Sequence, residues 1–199
     1  MRSNARKFRW LMPVVLVFVT LLLAGRLATV TNVQSNFSST AIPTPSPQTS
    51  KGFILRSEEG EVLQRAKGNT VTIKVDPRTG SSNMALGTQV MEAGVGIPVH
   101  VHEHADEVIY VSEGEGTALM ENDRRAVSKG DTIFVPRGTW HGVETKASGI
   151  SILWIVTPPG LENFFREISS PSGASLKTFT SAQINEIGKK HGVTFKPKQ

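Results

Sequence analysis

The chain has 199 residues, a net formal charge of +5 and no cysteine, and its length is enough for one domain with additional segments. Without cysteine it cannot form disulfides, thiolate metal ligands, a cysteine nucleophile or a lipoprotein anchor. The positive charge is concentrated at the two ends of the chain, at Arg2, Arg6, Lys7, Arg9, Lys189, Lys190, Lys196 and Lys198. Because the part between them is close to neutral, a nucleic-acid-binding surface is not expected.

The first 51 residues are predicted to be an anchor followed by a tether. Residues 1–30 combine a basic start with a long apolar run over residues 10–25, which favours an uncleaved transmembrane signal anchor over a cleaved signal peptide. The basic flank should stay in the cytoplasm, so the rest of the chain is expected outside it, or secreted if the segment is cleaved. Residues 31–51 are rich in Pro, Ser and Thr, a composition typical of a disordered linker.

Residues 52–158 have the pattern of an all-β domain. Short stretches such as residues 70–75 and 84–90 alternate between polar and apolar side chains. Turn-forming pairs, Asp76-Pro77 and Asn122-Asp123 among them, separate these stretches. Several short strands at this spacing are typical of a β-sandwich or a β-barrel.

Three histidines and one glutamate, His100, His102, Glu107 and His141, are the candidate metal ligands. Alternate residues of a strand face the same side, so His100 and His102 can point at one ion. Glu107 and His141 would have to reach that ion from other parts of a closed sheet. Three imidazoles with one carboxylate suit Mn, Fe, Co, Ni, Cu or Zn. His104 competes as a ligand, because it also lies two residues from His102.

The sequence around these residues resembles the paired motifs of the cupin superfamily. Residues 94–114 match GX5HXHX4EX6G, and residues 130–141 match GX5PXGX2H. The family often has Asn four residues after the final histidine, where this chain has Thr145. The resemblance implies a jelly-roll β-barrel in which the four candidate residues hold one divalent transition metal: Fe, Mn, Ni or Cu, with Zn as an option. The motif spacing leaves His104 out of the ligand set and places it at the mouth of the site.

Counting residues in twos from the ligands predicts which side chains surround the metal. From Glu107 this places Ile109 and Val111 on the inner face, and from His141 it places Val143 and Thr145 there. On two further strands, either set of alternate residues could face inward. These sets are Thr117 and Leu119 or Ala118 and Met120 on the first strand. On the second strand they are Ile152, Trp154 and Val156 or Leu153 and Ile155. Most of these side chains are apolar, which suits a compact organic or aromatic substrate. Tyr110 and Trp140 have the opposite parity and are expected on the outer face.

Residues 159–199 are predicted to be a helical extension that packs against the outside of the barrel. An apolar stripe at helical spacing indicates a first helix: Leu161, Phe164, Phe165 and Ile168. A second helix is expected to start with Ser181 as its N-cap, to bury Ile184 and Ile187, and to end at Gly192. Residues 158–167 and 192–195 resemble the tail of bacterial quercetin-dioxygenase-like cupins.

The leading functional hypothesis is a membrane-anchored, extracytoplasmic metalloenzyme, an oxygenase that acts on a small organic molecule. In the flavonol dioxygenases that this chain resembles, the motif glutamate is the general base, and the resemblance gives that role to Glu107. Two alternatives stay open: a non-catalytic metal- or ligand-binding or sensing module, and a metal-dependent isomerase or decarboxylase. The expected partners are a small-molecule substrate and the membrane, without nucleic acid, and a homodimer through outer strands is an option.

Overall fold

The computed structural model of the chain describes residues 51–197. The predicted anchor, residues 1–30, and the predicted linker apart from Lys51 lie outside the described residues, so both stay predictions. None of the helices in the described part of the chain is long and apolar enough to cross a membrane.

Within residues 51–197 the chain forms ten antiparallel strands, two α-helices and one short 3₁₀ helix, Pro77–Thr79. The strands are β1 (Glu61–Ala66), β2 (Asn69–Val75), β3 (Ala85–Met91), β4 (Ile97–His102), β5 (Asp106–Met120), β6 (Asp123–Ser128), β7 (Thr132–Val135), β8 (His141–Thr157), β9 (Ser170–Pro171) and β10 (Val193–Phe195). The helices are α1 (Leu161–Ile168) and α2 (Ser181–Lys190). An all-β, cupin-like fold with C-terminal helices is therefore confirmed, and the C-terminal region adds two short strands where the sequence predicted helices alone.

The two longest strands, β5 and β8, hold the sheet together. The sheet has the order β10-β4-β8-β3-β2-β1-β9, and β5 pairs with β6, β7 and β8. The pairing of β5 with β8 runs from Asp106 opposite Thr157 to Met120 opposite His141, with two shifts of register on the way. One shift begins at Gly114, which has φ of 76° and whose position leaves no room for a Cβ against the Gly149 carbonyl. Only glycine fits this bend, which lets β5 curve around the core.

The register of β5 and β8 decides which side chains face inward. Glu107 lies opposite Val156, and Ile109 lies opposite Trp154, with Val111 next in the same row. All five residues are buried. Since directly opposite residues share one face of a sheet, Ile109 and Val111 face inward with Glu107, as predicted. The same register selects Ile152, Trp154 and Val156, rather than Leu153 and Ile155, as the inner residues of β8.

The remaining parity predictions are confirmed in part. On β5, Ala118 lies opposite Val143 and Met120 lies opposite His141, so this pair faces inward. Val143 is buried as expected, but Thr145 is only partly buried. The Thr145 hydroxyl donates a hydrogen bond to the Glu92 carbonyl oxygen, so this residue lies away from the metal ligands. The outer-face residue Tyr110 is 41% exposed.

The helices cover the inner face of the sheet and not its outside, which corrects the prediction. Phe164 and Ile168 of α1 and Ile187 of α2 belong to the same buried cluster as Trp154 and Val156. The last two residues share the face of the sheet that carries Glu107. An apolar stripe shows that a helix buries one side, but it does not tell which surface covers that side.

Helix α2 begins at Ser181, as expected, but its N-cap is Thr180. The Thr180 hydroxyl accepts a hydrogen bond from the Gln183 backbone N–H, and the Gln183 side chain accepts one from the Thr180 backbone N–H. This reciprocal arrangement satisfies two free donors of the first turn. Gly192, with φ of 68°, follows the helix end as predicted.

Gly87 on β3 lies directly opposite Trp154, and a Cβ at that position would overlap the indole ring and the backbone carbonyl of Thr72. We expect Gly87→Ala to lower the free energy of unfolding by about 1–3 kcal/mol, because neither the buried ring nor the backbone can move freely. Chemical denaturation measures this change. The control is Gly52→Ala, whose Cβ would meet no neighbour; equal losses in both variants would contradict the packing argument.

Candidate metal centre

One strand end and two strand starts bring the four candidate ligands together. His100 and His102 lie at the end of β4, Glu107 lies near the start of β5, and His141 is the first residue of β8. β4 pairs with β8 so that His100 is directly opposite His141. A short connection from β4 to β5 then returns Glu107 to the same face. Residues that are more than thirty positions apart along the chain therefore converge on one point.

The four side chains form a compact, buried cluster. His100, His102, Glu107 and His141 are 2–7% exposed, and one nitrogen or oxygen from each lies within 4.8 Å of those of the others. The Nε2 atoms of His100 and His102 are 3.2 Å apart. The Glu107 Oε2 atom is 3.3 Å from His102 Nε2 and 3.0 Å from His141 Nε2. All four predicted ligand residues are thus in one place.

The hydrogen bonds of two histidines show which nitrogen faces the cluster. His100 Nδ1 lies 2.9 Å from the Pro98 carbonyl oxygen, and His141 Nδ1 lies 3.0 Å from that of Thr139. A carbonyl oxygen only accepts, so in each ring Nδ1 carries the proton and the neutral ring leaves Nε2 with a lone pair. These lone pairs point at one another and at the Glu107 carboxylate. A group of acceptors this close fits a bound cation, and the donor set fits a divalent transition metal.

Burial and neighbouring charges act on the protonation of the cluster. Burial is the largest influence on His100 and, together with the neighbouring His141 and His102, holds its pKa well below the usual value, which keeps the ring neutral at physiological pH. For Glu107, burial by itself raises the pKa, but the adjacent His102 and His141 rings outweigh burial and lower the pKa. Neutral imidazole and ionised carboxylate are the forms that bind metal.

An ion pair outside the cluster holds two of its segments together. Arg137, in the loop before β8, donates hydrogen bonds from its backbone N–H and its guanidinium to the Asp106 carboxylate, at 2.9–3.0 Å. These hydrogen bonds, the one from the side chain first, lower the pKa of Asp106 to about 2. The neighbouring Gly138 N–H donates to the His102 carbonyl oxygen at 2.8 Å. The sequence analysis did not find this brace, which positions Glu107 relative to His141.

His104 does not join the cluster. Its side chain is 80% exposed and lies 3.8 Å from the Glu103 carboxylate. It borders a surface depression together with Gly192 and Pro158, and His102 lines the same depression. The expectation that His104 is not a ligand agrees with the cluster geometry. Its expected place at the mouth of the site stays a prediction.

A cavity of about 330 Å³ reaches the cluster at His100, Glu107 and His141. Its wall is mostly apolar and comes from both the sheet and the helices: Ile97, Ile109, Val143, Ile152, Trp154, Leu161, Phe164, Phe165, Ile168, Ile184, Val193 and Phe195. Phe195 of β10 stacks on the His100 ring, with centroids 5.4 Å apart and planes at 25°. A volume of this size suits one small organic molecule.

Several residues of this wall were missed by the sequence analysis. The helical residues were expected on the outside of the barrel, so their place in the cavity was not foreseen. Asn69 and Gln89 are both buried and joined by a hydrogen bond of 2.9 Å, and they line the cavity together with Arg65. Counting in twos along β1, β2 and β3 would have placed these polar residues on inward faces, which is an unusual pattern for a core.

Comparisons with known proteins agree with this architecture. Residues 87–157 match the family model described as the cupin domain. An uncharacterized protein from Methanocaldococcus jannaschii is 32% identical over 76 residues, which cover 38% of this chain and 61% of that protein. Quercetin 2,3-dioxygenase from Bacillus subtilis is 24% identical over 119 residues, covering 60% of this chain and 35% of the enzyme. The match thus spans about three fifths of the first relative and about a third of the second.

Two solved structures have similar folds. An RmlC-like cupin from Shewanella frigidimarina has a TM-score of 0.50 and 22% identity, and the match covers 58% of this chain and 98% of that one. KdgF from a Halomonas species has a TM-score of 0.50 and 20% identity, covering 55% and 96%. At these identities the likeness concerns the fold alone. Together with the family match and the motifs around the histidines, it identifies residues 87–157 as a cupin domain.

Proposed function

We propose that the cluster binds one divalent transition metal ion and that the domain is a metal-dependent oxygenase acting on a small organic substrate, with aromatic compounds as the first class to test. One observation carries the proposal: three buried imidazoles and one buried carboxylate converge at the wall of an apolar cavity. Lone pairs of His100 and His141 face this cluster, as a metal site requires.

The protein would supply three things to such a reaction. His100, His102, Glu107 and His141 hold the ion, which when bound supplies Lewis acidity and, if it is redox-active, electron transfer toward dioxygen. The apolar wall excludes water from the substrate. The ionised Glu107 carboxylate is able to accept a proton from a substrate hydroxyl, as a general base does.

The partial match to a quercetin 2,3-dioxygenase supports an oxygenase rather than another metal-dependent reaction. A dioxygenase places both atoms of dioxygen in its substrate, so the reaction needs no external reductant. The aromatic rings of Trp154, Phe164 and Phe165 in the cavity wall favour a flat, apolar substrate body.

The proposal is tested on the full chain, purified without added metal, by elemental analysis followed by oxygen-uptake assays with flavonols and small phenols. We expect about one equivalent of metal per chain and oxygen uptake with at least one substrate class. Glu107→Gln is expected to lower turnover per bound metal by about 100-fold or more, the usual share of a general base. Glu113→Gln, an exposed glutamate on the same strand, is the control.

Each part of the proposal has its own contrary result. A chain that binds no metal, even after metals are added back, would contradict the metal site. Bound metal without oxygen uptake would contradict the oxygenase and favour a redox-neutral reaction or simple binding. Unchanged turnover per bound metal in Glu107→Gln would contradict only the role of Glu107 as the general base.

A further inference from the structure

Arg65 is a charged residue of the cavity lining that the proposed function does not use. It lies on β1 two residues after the buried Leu63, and the pairing of β1 with β2 shifts register between Gln64 and Ala66, on either side of it. Such a bulge turns a side chain away from the regular row of the strand. Arg65 lines the same cavity as His100 and Glu107.

The guanidinium of Arg65 lacks a counter-charge among residues 51–197. No carboxylate in this part of the chain lies within 4.0 Å of it, and no described group accepts a hydrogen bond from it. The Arg65 side chain is partly buried, and this burial lowers its pKa from the usual value. A guanidinium that is removed from water without a partner destabilises the protein, unless a ligand supplies the missing charge.

The other charges around the cavity point the same way. Besides Arg65, the charged residues of the lining are Lys196 and Glu107. Glu107 is already engaged by His102 and His141. The cavity therefore presents two cationic side chains and, outside the ligand cluster, no acidic one among its described lining residues.

The amide pair of Asn69 and Gln89 adds a polar patch to this wall. Gln89 Nε2 donates to Asn69 Oδ1 at 2.9 Å, which fixes the orientation of both amides. Both residues are 5–6% exposed and line the cavity. These two amides therefore place polar groups in the same cavity wall as Arg65.

We propose that the substrate carries a carboxylate group, which binds to the guanidinium of Arg65 while the apolar body of the molecule lies against Phe164 and Phe165. The planar guanidinium matches a carboxylate with two parallel hydrogen bonds. This inference rests on the proposed function, because it names the substrate class of that site. The expected substrate is then a small aromatic or unsaturated acid, and not a neutral phenolic compound.

The experiment compares two probes of equal shape, 3,4-dihydroxybenzoate and 3,4-dihydroxybenzamide, by calorimetric titration of the full chain. Each titration is done with metal and again after chelation, because a carboxylate also binds metal directly. We expect the acid to bind at least about ten-fold more tightly than the amide, the usual effect of a charge-assisted hydrogen bond. Arg65→Gln should remove this preference in both metal states, and Arg65→Lys should retain part of it. Arg125→Gln, an exposed arginine on β6, is the control.

Three results would overturn the inference: equal affinity of the wild-type chain for the two probes, no binding of the acid up to its solubility limit, or an equal loss for both probes in Arg65→Gln. The last result would mean that Arg65 only supports the cavity structure. The metal content of every sample is measured in parallel. If the chain binds no metal but keeps its Arg65-dependent preference for the acid, the proposed oxygenase is contradicted and the carboxylate site is supported. If the chain has normal metal content but shows no preference for the acid, the carboxylate site is contradicted and the metal site is supported.

Discussion

The His141→Ala variant is expected to lose its metal while the sheet stays folded. His141 contributes Nε2 to the cluster and is 2% exposed, so no water-exposed side chain can take its place without rearrangement. Removing the hydrogen-bond partner of a metal ligand costs about 10–100-fold in affinity, and removing the ligand itself should cost more. Elemental analysis after dialysis measures the loss, and far-ultraviolet circular dichroism reports whether the β-structure remains.

The matched control for this variant is His104→Ala. His104 is close in sequence to the ligands, but its side chain is 80% exposed and outside the cluster. We expect this variant to keep its full metal content. Normal metal content in His141→Ala would refute the assignment of His141 as a ligand. Metal loss in His104→Ala would show that the assigned ligand set is wrong.

Removal of Arg166 is expected to cause one of the largest losses of stability of any single side chain in the domain. Arg166 of α1 donates to Glu61 of β1 and to Asp76 at the end of β2, with Nη2 2.6 Å from an oxygen of each. Its own side chain is 13% exposed, and that of Asp76 is 1% exposed. Burial by itself lowers the pKa of Arg166, but the two carboxylates outweigh it and raise the pKa.

Arg166→Met would leave the Asp76 carboxylate buried without its cation. We expect the free energy of unfolding to fall by about 3–5 kcal/mol, the usual cost of breaking a buried ion pair on one side. Equilibrium denaturation in urea measures it. Adding Asp76→Asn should recover part of the loss, because the neutral amide can still accept the hydrogen bond from the Thr79 backbone N–H.

A surface ion pair provides the comparison. Arg124 and Glu144 form one with side chains 59% and 51% exposed, so Arg124→Met should cost less than about 1 kcal/mol. If Arg166→Met costs no more than this control, the contact between α1 and the sheet does not depend on the ion pair. If Asp76→Asn fails to recover any stability, the loss comes from packing and not from the unpaired charge.

The candidate ligands could be found from the sequence because their geometry is largely local. His100 and His102 share a face through strand alternation, and the spacing to Glu107 spans one short connection, so neither depends on distant contacts. The inward direction of Ile109 and Val111 follows by the same rule. The assignment of His141 to the same ligand set came from the motif resemblance, because its distance along the chain does not tell where it lies in the sheet.

The sequence by itself determined the all-β domain, its four candidate ligands and the existence of two amphipathic C-terminal helices, since each depends on patterns within one or two segments. Only the tertiary structure decided where the helices pack, and that choice makes Phe164 and Phe165 part of the cavity. It also decided that Arg166 meets Asp76, whereas Arg65 faces the cavity without a partner among the described residues. Which charge meets which counter-charge depends on contacts between segments far apart in the chain, and the periodicity of one segment holds no information about them.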